Sequence, residues 1–243
     1  MEYQGVFERY EKKYLLTEET YRQVAKQLHG HMQPDRYGPS TICNVYFDTP
    51  DYRIIRRSLE KPVYKEKLRL RSYGVPQAGS CVYVELKKKY KGVVYKRRTG
   101  MTLRQAEDYL YRGGALPCPS QIGREIEWFL SFYRQVLPAM YLSYRRAAFC
   151  GREDSGLRVT FDADITWRQT ALFLGRGSWG NLLLPAGTRL MEIKAPSAMP
   201  VWLARVLDAA RVYPVSFSKY GAAYEQAMQL DTGLEKKGET ISA

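Results

Sequence analysis

The stretch VYKEKLRLRS (63–72), followed by CVYVELKKK (81–89) and VVYKRRTGM (93–101), alternates polar and apolar residues with a period of two. Successive side chains on a strand point to opposite faces, so this period predicts three strands. Lys67, Arg69 and Arg71 fall on one face, and Leu68 and Leu70 on the other. In the second run Glu85, Lys87 and Lys89 oppose Val84 and Leu86, and in the third Lys96 and Arg98 share a face. Lys91-Gly92, between the last two runs, suits a hairpin turn. Each strand therefore has an apolar face and a face of long cations with isolated carboxylates.

The same alternation recurs outward from this ribbon. Residues 6–16 place Arg9, Glu11 and Lys13 in phase, and 41–47 lead into the turn Asp48-Thr49-Pro50, which Asp48 is expected to fix. Further strands are predicted over 139–149 (Tyr144 with Arg146), 157–167 (Arg158, Thr160 and Asp162), 170–175, 188–194 (Glu192 and Lys194) and 215–218. Between them lie helices. One is expected over 18–29, capped by Thr17. Another opens at 102 with the capping-box pair Thr102 and Gln105, and a third follows Ser120 over 121–136. Ser197 and Pro200 begin a fourth, and a last helix runs to 230, leaving a polar tail over 231–243. Trp128, Phe129, Phe132 and Tyr133 are read as a helix packing face. No repeat or low-complexity linker interrupts the chain, so a single domain over 1–230 is expected.

The 243 residues are 45% hydrophobic and 13% aromatic, enough for a packed core, which excludes a disordered chain. Lys and Arg number 38 against 25 Asp and Glu, a net charge of +13 that calls for a polyanionic partner. The four cysteines form no CxxC pair, which argues against a zinc site. With no apolar leader segment visible, they are expected to be reduced, in a cytoplasmic protein. No apolar run approaches the ~18 residues of a membrane span, so membrane contact would require a partner protein.

Strand phase decides where the charge goes. Amphipathic helices recur between the strands, and their apolar stripes must cover the apolar strand faces. The charged faces are then turned toward one another. An α+β fold follows, mainly antiparallel: an eight-stranded barrel with helices packed outside and a cationic lumen. A buried excess of cations is stable only when wet or compensated by an anion. A polyphosphate or nucleoside triphosphate, with several charges in a row, fits best. The seven cations of KKKYKGVVYKRR (87–98) could suggest a nucleic-acid patch. Lys87, Lys89, Lys96 and Arg98 have interior phase, however, leaving Lys88, Lys91 and Arg97 outside near the tunnel mouth, and no nucleic-acid partner is expected.

At this point specific motifs stand out: RYEKKY (9–14), VYFDTPD (45–51), KLRLRSYG (67–74), VYVELKKKYKGVVYKRR (82–98), YRRAAF (144–149), RVTFDAD (158–164), MEIK (191–194) and SFSKY (216–220). In this order they resemble the VTC domain family of polyphosphate polymerases, within the triphosphate-tunnel (CYTH-like) superfamily. The resemblance implies transfer of the ATP γ-phosphoryl group to a growing polyphosphate chain, assisted by Mn²⁺ or Mg²⁺. It implies substrate ligands at Lys13, Arg69, Arg71, Lys87, Lys96, Arg98, Tyr144, Arg146, Arg158 and Lys194. Ser218 and Lys219 would sit at the reacting phosphates, with Arg69, Arg71 and Glu192 completing the catalytic set. Glu192 would hold the metal, with Glu11 and Glu85 as further candidates, although these two, like Asp162, are more readily salt-bridge partners of neighbouring cations. Many hydrolases of the superfamily begin with Glu-x-Glu-x-Lys; Arg9 takes the first of these positions here. A triphosphatase or a binding-only module is the alternative reading.

Overall fold

A computed structural model describes residues 10–239 apart from Gly92, Cys118 and Ser197. In chain order the elements are β1 (Tyr10–Leu16), α1 (Glu18–Leu28), β2 (Met32–Pro34), β3 (Ser40–Asp48), α2 (Arg53–Leu59), β4 (Tyr64–Tyr73), β5 (Cys81–Tyr90) and β6 (Val93–Thr102). They continue with α3 (Leu103–Arg112), α4 (Gln121–Tyr133), β7 (Leu137–Gly151), β8 (Arg158–Arg168), β9 (Asn181–Leu182), β10 (Arg189–Ala195), α5 (Val201–Ala209) and α6 (Lys219–Glu239).

The alternating runs form one antiparallel sheet. Its main path is β1-β10-β8-β7-β3-β4-β5-β6, with β2 added to β7 and β9 to β8. The eight strands of that path match the expected number, but no backbone ladder joins β1 to β6 among the described residues. Side chains approach across the gap instead: Lys87 Nζ on β5 lies 4.0 Å from Glu11 Oε2 on β1.

The outer faces are apolar, as the phase requires. Leu68, Leu70, Val84 and Leu86 are fully buried with Ala106 of α3 and Ile126 and Phe129 of α4. Val159, Phe161 and Ile193 are covered by Val24 and Leu28 of α1 and Leu203 of α5. Thr102 and Gln105 form the capping box that starts α3, and Ser120 and Thr17 cap α4 and α1. The packing face of α4 is narrower than the sequence suggested. Phe129 is buried, whereas Trp128 and Phe132 stack on each other at 5.0 Å and stand exposed. Lys88 and Arg97, expected near the mouth, instead grip Glu125 of α4 at 3.3 and 3.5 Å.

Helix α6 departs from the outside rule. Its Tyr220, Ala223 and Ala227 pack with Tyr46, Leu142, Ile165 and Leu190, which lie on the inner face of the sheet. One end of the concave surface is therefore covered by a helix. Asp48 anchors this arrangement and does more than fix its turn. Its carboxylate accepts from the backbone N–H groups of Thr49, Ile54 and Ile55 and from the Tyr220 hydroxyl, all at 2.8–3.0 Å. It caps α2, which the sequence reading missed, and ties it to α6. The backbone of α6 continues to Glu239, past the residue at which a tail was expected.

Two other expected strands are absent. Residues 170–175 form a loop entering a short 3₁₀ turn (Leu174–Arg176), with Ala171 at positive φ. Arg168 explains it: sandwiched between the Tyr141 and Trp179 rings, its guanidinium donates to the carbonyls of Thr170, Ala171, Gly177 and Trp179. Those carbonyls have no need of a neighbouring strand. Residues 215–218 run without strand pairing; Val215 N donates to Lys13 O at 2.7 Å and Lys13 Nζ to Phe217 O at 2.8 Å.

Replacing Asp48 by Ala strands several buried donors, each worth about 1–3 kcal/mol when left unpaired. The expected result is loss of several kcal/mol of stability, read as a lower urea midpoint, with far less loss for Asp51→Ala on the exposed side of the same turn.

Candidate anion-binding lumen

The strand registers bring the inward charges together. Lys67, Arg69 and Arg71 on β4 face Lys87 and Glu85 on β5, which in turn face Lys96 and Arg98 on β6. From the other side β1, β10 and β8 supply Glu11, Lys13, Glu192, Lys194, Arg158 and Asp162. The cations exceed the carboxylates, and the carboxylates act as hubs.

Glu85 is the first hub. Arg69 donates to its Oε2 twice, at 2.9 and 2.6 Å, Lys96 Nζ lies 2.7 Å from Oε1, and Arg71 is 3.8 Å away. Burial alone would raise its pKa, but Arg69, Arg71 and Lys96 outweigh burial and hold it well below the usual carboxylate range. Asp162 and Glu192 make the second hub. Arg146 clamps Asp162 bidentately at 2.6 and 2.7 Å, and Lys219 sits 2.6 Å from Asp162 and 3.1 Å from Glu192. Despite burial, both carboxylates stay ionised below their ordinary range, and Lys219 is correspondingly raised. Tyr144 links the hubs, accepting from Arg71 at 3.1 Å under the Lys219 ammonium, 4.7 Å from its ring centre. Neighbouring Arg71, Arg146 and Lys219 overcome burial to lower its phenol pKa.

Three lysines of the same surface have lowered pKa values, and of them Lys67 has no carboxylate partner among the described residues. Lys67 donates to the Ser218 hydroxyl at 2.9 Å, and Ser218 Oγ accepts from Gly221 N at 3.1 Å at the start of α6. Burial pushes the Lys67 ammonium down to about 7, helped by repulsion from Lys87 and Lys13. Burial likewise lowers Lys87 to about 8 against the pull of Glu11, and Lys96 to about 8 against that of Glu85. Such a set is poised to hold a multiply charged anion.

The sequence of residues 8–228 matches the VTC domain. The chain belongs to the VTC domain family. Among solved structures, a putative adenylate cyclase from Bacillus halodurans shares the fold with a TM-score of 0.57 and 17% identity, over 88% of this chain and 95% of that one. A putative adenylyl cyclase from Hippeastrum, described as having a dominant triphosphatase activity, aligns with a TM-score of 0.52 and 16% identity, over 89% and 95%. Both are described as putative adenylate cyclases. No match to a curated protein sequence is found.

In this VTC domain the structure gathers Lys13, Arg69, Arg71, Lys87, Lys96, Tyr144, Arg146, Glu192, Lys194, Ser218 and Lys219 on the concave surface. Arg158 lies toward its rim, 3.5 Å from Asp35. Arg98 packs over the Tyr83 ring at 4.8 Å, and Arg9 lies outside the described residues. Lys67 and Asn44 carry no role in the sequence reading, whereas Asp162, expected as a salt-bridge partner that orients cations, does pair with Arg146. Lys67 was visible in the strand phase but matched no motif role. Asp162 had the right phase, yet its capture of Lys219 depends on α6 entering the concave face. Asn44, accepting from Arg71 Nε at 2.8 Å, sits in a strand too apolar to draw attention.

For a metal, the hubs differ. No group of three or more His, Cys, Asp or Glu side chains is gathered as a cage among the described residues. Glu85 is surrounded by Arg69, Arg71 and Lys96, whose charges repel an ion. Around Glu192 the fit is better: Thr160, its cross-strand partner, has a buried hydroxyl with no partner, and the neighbouring Glu11 carboxylate is repelled by Glu192. A divalent ion drawing one or two carboxylates from the protein and its other ligands from phosphate and water suits that place.

Binding of a polyanion will restore protons to Lys67, Lys87 and Lys96, whose lowered values place them partly deprotonated at pH 8. Tripolyphosphate affinity should fall as pH rises from 7 to 9, and at pH 8 binding should take up protons. Calorimetric titrations in buffers of differing ionisation enthalpy check this; proton release on binding would contradict it.

Proposed function

We propose that this VTC domain is a polyphosphate polymerase, transferring the γ-phosphoryl group of ATP to the end of an inorganic polyphosphate chain. The observation carrying this reading is that each carboxylate hub of the concave surface is tied to cations and held ionised. A carboxylate with a strongly depressed pKa is a poor general base, so the site is badly equipped to deprotonate water. A terminal phosphate of polyphosphate arrives already ionised and needs no base.

In this reading a terminal oxygen of the chain attacks the γ-phosphorus, the bond from that phosphorus to the bridging oxygen breaks, and its electron pair leaves on ADP. No proton has to move. Arg69, Arg71 and Arg146, each fixed by a carboxylate or tyrosine partner, hold non-bridging oxygens with planar forks. Lys219, buried and charged, lies beside the reacting phosphates and neutralises charge in the transition state. Ser218, oriented by Lys67, donates its hydroxyl to the same phosphates. Lys13, Lys87, Lys96, Arg98, Arg158 and Lys194 bind the rest of the polyanion. Glu192 with Glu11 and Thr160 would hold Mn²⁺ or Mg²⁺, which when bound supplies charge neutralisation between phosphate oxygens. No helix among the described residues is long and apolar enough to cross a membrane.

The described activity of the Hippeastrum neighbour keeps hydrolysis as the second reading. Incubation with ATP and Mn²⁺, followed by gel sizing, separates the two. Long-chain polyphosphate with ADP is expected, whereas orthophosphate with ADP alone would move the assignment to a triphosphatase. Lys219→Ala and Glu192→Ala should each reduce the rate by roughly 10²-fold or more, the scale of losing a charge-stabilising group, with the fold checked by circular dichroism.

A further inference from the structure

The inner face of the β4–β5 ribbon continues beyond the Ser218–Lys219 end of the concave surface. There Lys67 is the cross-strand partner of Lys87, and one step further Lys65 is the partner of Lys89. Like charges directly opposite one another in a sheet are destabilising, and here two such pairs are consecutive. Carboxylate compensation is nearly absent: among the described residues Lys65, Lys67 and Lys89 form no ion pair with a carboxylate. Lys65 donates instead to the Ser58 carbonyl at 3.3 Å, at the C-terminal end of α2, and Lys67 to Ser218. Lys87 alone has a carboxylate in reach, Glu11 at 4.0 Å. Lys61 adds its charge to Lys65 from the loop preceding the strand.

From this ladder we infer a second binding element: a surface lane that carries a linear inorganic polyphosphate chain away from the reacting end of the lumen. Three features favour that occupant. The lane is continuous in phase with the lumen, so a chain held at Lys67 and Lys87 meets Lys65 and Lys89 next. It is built of lysines and not arginines; compact ammonium groups act as point charges and lack the fork that grips one phosphate in one orientation, which suits a polymer that must advance by one unit at each addition. It also offers no ring for a nucleobase. Tyr64 and Tyr90, themselves a cross-strand pair, lie on the opposite face, where Tyr64 donates to Glu66, and single-stranded nucleic acids depend on such stacking platforms.

The inference rests on the lumen being a polyphosphate site, but its test is a binding comparison independent of turnover. The double variant Lys65→Gln/Lys89→Gln, with the single Lys89→Gln as a control at the exposed position, is titrated with long-chain polyphosphate and with tripolyphosphate. The double variant should bind the long chain roughly tenfold more weakly, with a salt dependence shallower by about 0.7 per lost cation. Tripolyphosphate, too short to reach the lane, should bind as to the wild type. Equal losses for both ligands, or none for either, overturn the lane. So does an oligonucleotide that displaces the long chain from the wild type at comparable phosphate concentration. Loss of tripolyphosphate binding by the wild type itself would instead overturn the reading of the lumen.

Discussion

Turning so many cations toward one another on a concave surface costs free energy that the apolar outer faces alone do not remove. The two carboxylate hubs meet that constraint. Glu85 gathers Arg69, Arg71 and Lys96, while Asp162 and Glu192 gather Arg146, Lys194 and Lys219. Each hub neutralises part of the repulsion and fixes the directions of the guanidinium and ammonium groups around it. Taking away one carboxylate would leave buried cations uncompensated, a heavier penalty than the pair's own contribution. The residual charge is centred on Lys67 and Lys87. Stability and anion affinity are therefore opposed in this surface: another internal carboxylate would steady the empty protein and weaken its hold on phosphate.

Much of this was legible in the chain because a strand's period is two. Where one face is leucine and valine and the other lysine and arginine, the register admits only one orientation, and every inward cation of β4, β5 and β6 could be named from its parity. Caps at Thr17, Thr102 and Ser120 were equally local, since a hydroxyl and a backbone N–H three residues on suffice to form them. Long-range features escaped. The loop at 170–175 has β-compatible residues, and only the buried Arg168, collecting carbonyls from both sides of the loop, shows why it does not pair. Helix α2 has no capping residue adjacent to it; its cap, Asp48, stands several residues upstream and is recognisable only once the chain has turned back.

The inward position of α6 was likewise hidden. Its small residues, Ala223 and Ala227, look unremarkable in sequence, yet they permit close approach to the inner face of β3, β7 and β8. The aromatic stack of Tyr46 on Tyr220, at 4.6 Å, then sets the depth at which the helix enters. Lys219 precedes Tyr220 directly, so the ammonium that meets Asp162 and Glu192 is placed by packing as much as by charge. Sequence motifs can mark such a lysine as special; they do not say what holds it.

Helix α6 spans Lys219–Glu239, a rod of roughly 30 Å at the α-helical rise. Its first residue is a buried cation of the anion site, and its far end belongs to the C-terminal region of the chain. A rod of hydrogen-bonded turns resists compression, so it behaves as a lever. Between the distal turns and the Lys219 ammonium stand two fixed points, the Tyr46 stack and the Asp48 anchor, both made by Tyr220. The distal turns of α6 are thereby joined, through one unbroken run of helix, to the ammonium that meets Asp162 and Glu192.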